Sequence, residues 1–101
     1  MRRLRFVAMA NLKQISKERL EKEFDRMKRA LEAIEIKKKG KEAEELLDLA
    51  TRYFEDAKYF QEKGDWATAF GALNYAFGLL DGGAKLKLFD VSRAKDLFIV
   101  D

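Results

Sequence analysis

The sequence predicts an all-α fold: a three-helix up-and-down antiparallel bundle with a short C-terminal tail packed on it. Three observations carry that expectation. Apolar residues recur at alternating steps of three and four through three separate segments. Residues that start or stop helices bound each segment, and the chain contains no proline to break one. Steps averaging about 3.5 residues draw one apolar stripe along each helix, the seam that bundle helices bury against one another.

The first helix is expected over residues 16–38, with Leu20, Phe24, Met27, Leu31 and Ile34 as its stripe. Ser16 suits the N-cap, its hydroxyl accepting an orphan backbone N–H, and Glu18 lies where the helix dipole favours an anion. Lys37, Lys38 and Lys39 are cations suited to the C-terminal end, and Gly40 supplies the left-handed conformation that a C′ position wants.

The second helix, residues 41–63, carries Ala43, Leu46, Ala50, Tyr53, Ala57 and Phe60 on its stripe. Glu42, Glu44 and Glu45 open it, and Lys63-Gly64 closes it. Asp65 then caps a third helix over 66–88, striped by Trp66, Phe70, Leu73, Phe77, Leu80 and Ala84. Asp81-Gly82-Gly83 has the composition of a terminator, since each helical glycine costs about 1 kcal/mol against alanine. The stripe nevertheless keeps its register through to Leu88, and the helix is read as continuing. Connections this short require antiparallel neighbours. Leu31, Leu46, Tyr53, Phe60, Phe70, Leu73 and Phe77 are the expected core. The apolar clusters after residue 88 are expected to fold back over the bundle, a short hairpin being one form.

With 101 residues, 48% of them hydrophobic, the chain makes one domain with one modest core, expected over residues 16–101 behind a basic extension at 1–15. Its net charge of +3 is unevenly placed: residues 1–40 hold 13 Lys/Arg against 6 Asp/Glu, and residues 41–101 hold 8 against 12. Without Cys there is no disulfide or thiolate chemistry, and without His the commonest general base and transition-metal ligand are missing. A Cys-free chain suits a reducing interior, so a cytoplasmic location is expected. Four Asn and Gln among abundant Lys, Arg and Glu resemble a hyperthermophile's composition. No apolar run approaches the roughly 20 residues a membrane span needs, so no membrane partner is expected.

Two groups are singled out as candidate sites. Gly71, Tyr75, Gly78 and Gly82 form a second stripe on the third helix, a shallow groove that another backbone can approach. Its plainer explanation is that a neighbouring helix or the tail packs close there. Tyr53, Asp56, Asn74 and Asp81 are the polar groups inside the aromatic region. A structural hydrogen-bond network explains them most simply; a carboxylate desolvated by aromatics would act as an acid or base.

Two nominal motifs fail. Gly78 and Gly83 bracket four residues as in a P-loop, but Ala84 stands where the lysine must follow. Glu42, Glu44, Glu45 and Asp48 lack the histidine of a di-iron bundle. No catalytic residue, metal site or cofactor is therefore predicted.

The segments YFEDAKYF (residues 53–60), EKGD (62–65), AFG (69–71) and NYAFGLLD (74–81) resemble the archaeal domain-of-unknown-function family 357. LFDV (88–91) and Leu97-Phe98 resemble its C-terminal end, so the likeness covers roughly residues 16–100, with Met9 as an alternative start of the chain. The resemblance implies an archaeal origin and a small left-handed three-helix bundle. It brings no established activity and no functional residues.

The expected function is a non-catalytic interaction module that docks a protein partner or a second copy of itself. Two alternatives stand beside it. One is weak nucleic-acid binding through the basic first third, disfavoured by the interleaved carboxylates. The other is a small ligand held between helices two and three by Tyr53, Asp56, Asn74, Tyr75 and Asp81.

Overall fold

A computed structural model describes residues 15–98. The order is α1 (Lys17–Ala33), β1 (Glu35–Ile36), α2 (Lys41–Glu62), α3 (Trp66–Lys85), β2 (Phe89–Asp90) and a 3₁₀ segment η1 (Ser92–Leu97). The all-α bundle is confirmed, with a two-stranded ribbon as its sole departure among the described residues. The 1–15 extension falls outside them, except for Ile15.

Local chemistry explains most boundaries. Ser16 caps α1 by accepting from Arg19 N at 3.0 Å, and Asp65 caps α3 by accepting from Thr68 N at 3.2 Å. Between α2 and α3 the chain turns in a Schellman motif. Asp65 N donates to Phe60 O and Gly64 N to Gln61 O, with Gly64 left-handed at φ 82°. The end of α3 repeats that pattern, with Leu88 N donating to Gly83 O and Lys87 N to Ala84 O. Here the left-handed residue is Lys87, at φ 65°. A side chain at such a φ is strained. Lys87→Gly is expected to raise stability by about 0.5–1 kcal/mol, measured by urea titration, because the relief exceeds the added unfolded-state entropy.

The first helix is shorter than expected. It ends at Ala33 rather than residue 38, and Ile34 is already extended. Glu35 and Ile36 pair antiparallel with Asp90 and Phe89, and Leu88 O accepts from Lys37 N and Lys38 N. The β-branched Ile34 and Ile36 favour strand once a partner is present. Lys37 to Lys39 thus follow a strand instead of closing a helix. Gly40 is the N-cap of α2, at φ 157°, and not a C′ residue.

Helix α3 does run through Gly82 and Gly83, stopping at Lys85 rather than 88. The two glycines have different reasons. A Cβ on Gly83 would overlap the edge of the Phe89 ring, whereas one on Gly82 meets nothing within 4 Å. Gly82→Ala is therefore expected to stabilise the fold by about 0.5–1 kcal/mol. Gly83→Ala should destabilise it by about 1–3 kcal/mol and displace β2, a contrast that thermal melts of the pair will read.

The core differs from the one expected. Phe70 and Leu73 are buried, but Leu31, Leu46, Tyr53, Phe60 and Phe77 are half-buried flanks. The interior is made largely of small residues. Ala43, Ala50 and Ala57 on α2 repeat every seven residues, as do Ala69, Ala76 and Gly83 on α3, and all are buried. The two series share one seven-residue interval on either side of the Gly64 corner, Ala57 and Ala50 lying seven and fourteen residues before it and Ala69 and Ala76 five and twelve after it. Side chains this small let the backbones of an antiparallel hairpin approach closely. Leu20, Met27, Leu73 and Leu80, each at most 1% exposed, supply the bulk where α1 seats on the hairpin.

The tail is fastened from two sides. Phe98 stacks on Phe77 of α3, centroids 4.9 Å apart, and Arg26 of α1 lies over that same Phe77 ring at 4.0 Å. Arg29 reaches both oxygens of Asp96 at 3.1 Å. Asp90 accepts from Ser92 N at 2.9 Å. That backbone bond, then the Ser92 hydroxyl and the charge of Lys37, hold its carboxyl below the usual range against a small opposing effect of burial.

Candidate functional site

The residues singled out as a partner face do lie together. Gly71, Tyr75, Gly78 and Gly82 share the side of α3 opposite its buried Ala69, Leu73, Ala76 and Leu80. Gly78 is exposed and the other three are half-buried. A Cβ built on Gly71, Gly78 or Gly82 comes within 4 Å of no described atom outside its own turn of helix. Neighbouring helices and the tail up to Phe98 therefore do not require these glycines. The plainer explanation, close internal packing, holds for Gly83 and not for them.

This face has a further property. From Trp66 to Leu80, α3 carries no charged residue at all, whereas α1 places Lys, Arg, Asp or Glu on almost every outward position. The solvent side of a surface helix is ordinarily charged. An uncharged stretch of fifteen residues was readable in the sequence, and the apolar stripe within it drew attention away.

The polar cluster does not assemble as a network. Tyr53 and Tyr75 meet edge to face, centroids 4.7 Å apart, joining α2 to α3. Asn74 spends its amide on Phe70 O of its own helix at 3.0 Å. Asp56 is exposed. The Oδ1 atom of Asp81 is buried without a hydrogen-bond partner, so no Asn74–Asp81 bond forms through it. The expected Tyr–Asp or Asn–Asp network is thus replaced by an aromatic pair and an intrahelical bond.

The concavities lie elsewhere. A groove of about 640 Å³ separates α1 from α2, floored by Phe24 and Phe54, whose rings meet edge to face at 6.0 Å. A depression of about 700 Å³ lies where the turn after α3 faces the start of α2, lined by Leu46, Leu49, Leu86 and Leu88. Sequence periodicity gave no sign of this second patch. Leu86 falls at the helix cap, where the stripe no longer determines what is buried. Among the described residues no group of three or more Asp and Glu is placed to hold a metal ion.

A family model described as protein of unknown function (DUF357) matches residues 18–89. The chain belongs to the DUF357 family. The match spans α1 from its second residue through the first residue of β2, so the α3 face and both concavities lie inside DUF357. Asp90-Val91 and Leu97-Phe98, which also resembled the family, lie beyond it. No curated protein and no solved structure matches the chain. Among the described residues, no helix is long and apolar enough to cross a membrane.

Proposed function

We propose that this DUF357 chain is a non-catalytic interaction module that docks a protein partner, or a second copy of itself, on the outward face of α3. The observation that carries the reading is the uncharged run Trp66–Leu80 with glycines whose missing Cβ atoms answer no contact inside the fold. Helical glycine costs about 1 kcal/mol against alanine, so three of them on an open face are a stability loss without internal return. A closely approaching backbone is the return, and Tyr75 beside it supplies a large amphipathic contact surface. The Cys-free, amide-poor composition supports a cytoplasmic setting in a heat-adapted cell, and the family resemblance implies an archaeal one.

The reading makes stability and binding move in opposite directions. Replacing Gly71, Gly78 and Gly82 together by alanine is expected to stabilise the chain by about 1.5–3 kcal/mol in urea titration. The same variant should lose at least about tenfold in affinity for the partner that the parent captures through this face. Light scattering at several concentrations and affinity capture from native lysate provide the measurement. A more stable variant with undiminished binding would sink the proposal.

A further inference from the structure

We infer that the leucine patch at the α2–α3 end of the molecule is a self-association surface, its occupant a second copy of this chain. Leu86 is 68% exposed and Leu49 36%, two of the three large hydrophobic side chains exposed among the described residues. Both line one depression. Clustered exposure of this kind marks an interaction site far more often than scattered leucines do.

The charges around the patch select the partner. One wall is the turn after α3 with the loop bonded to it, since Leu88 O accepts from Lys37 N and Lys38 N. That wall presents Leu86 and Leu88 with Lys38 and Lys39. The other wall is the N-terminal part of α2, presenting Leu46 and Leu49 with Glu42 and Glu45. Each wall thus carries two leucines and two like charges, basic on one side and acidic on the other. A uniformly acidic or basic partner would meet repulsion from one wall. A second copy turned through a two-fold axis lays the basic wall of one on the acidic wall of the other and leucine on leucine. Glu45 is free to exchange, because its contact with Lys41 is a solvated pair at 3.8 Å. Eight lining residues are fewer than the roughly 20–30 a side of a standard interface, so the dimer is weak, with Kd on the order of 10–100 μM.

This inference deepens the interaction-module reading but stands on a different face, and the variants separate the two. Sedimentation equilibrium of the full chain is run across that concentration range for the parent, Leu86→Lys, Lys38→Glu/Lys39→Glu and Glu42→Lys/Glu45→Lys. Circular dichroism melts verify that each folds, as these exposed positions should permit. The parent is expected to move toward twice its 11.7 kDa mass. Leu86→Lys and each charge-reversed variant alone should weaken association at least about tenfold, and the two reversed variants mixed should regain it. Added salt should weaken the parent dimer. A parent that stays monomeric overturns the inference, as does a mixture no tighter than its components. Association lost in Gly78→Arg but kept in Leu86→Lys also overturns it, while leaving the α3 reading intact. A monomeric parent that loses capture of a different protein on Leu86→Lys assigns the patch to that protein and overturns the second-copy assignment.

Discussion

Ala50→Leu is expected to cost about 3 kcal/mol or more, at the upper end of overpacking effects. Ala50 is fully buried, as is Ala76 on the facing helix, so the seam between α2 and α3 is built on small side chains. The added atoms have nowhere to go without spreading α2 from α3. Spreading would also break the Tyr53–Tyr75 contact and the seat that α1 makes on the hairpin. A domain this size holds about 5–15 kcal/mol in all, so the loss is a large fraction of its stability. Urea titration should show the midpoint falling, and glycine at the same position, which adds no volume, should cost only about 1 kcal/mol. If leucine were accommodated at under about 1 kcal/mol, the close-packed seam would be wrong.

The second large effect is the opposite change. Leu80→Ala removes a fully buried side chain from the layer where α1 meets α3, and about 3–4 kcal/mol should be lost to transfer and cavity terms together. The melting temperature should fall by about 12–32 °C, taking the usual response of a domain near 100 residues. Leu86→Ala on the same helix end, 68% exposed, should change it little. The pair checks that burial and not leucine content governs stability here.

Those two substitutions also mark where sequence reasoning succeeded and where it fell short. Helix starts and the hairpin corner were legible because their causes are local. Ser16 and Asp65 each cap the backbone three residues on, and Gly64 supplies its own left-handed turn. The α1 end was not legible, because Ile36 takes its strand conformation from Phe89, a partner far along the chain. Periodicity also misjudged the core. It weighs Tyr53 and Phe60 above Ala50 and Ala57, yet in a close-packed antiparallel pair the smallest residues take the centre and the large rings are pushed to the flanks.

Of the candidate site, the glycine stripe was visible and the polar network was an over-reading. Asn74 had an acceptor four residues back on its own helix, and a local bond of that kind needs no partner from elsewhere. The uncharged outward run was present in the composition of α3 all along. The leucine patch was not, since it depends on how the turn after Lys85 meets the first turns of α2.

On the proposed function, the outward face of α3 is covered by another molecule when the protein works. A photoreactive side chain placed at residue 78, exposed and with open space around its Cβ, tests it most directly. Lys22, exposed on α1, provides the matched control position. Irradiated in its native cell extract, the variant at 78 is expected to yield a discrete cross-linked species, a dimer or a single heterologous product, that position 22 does not give. No product at 78, or the same products from both positions, would contradict the account.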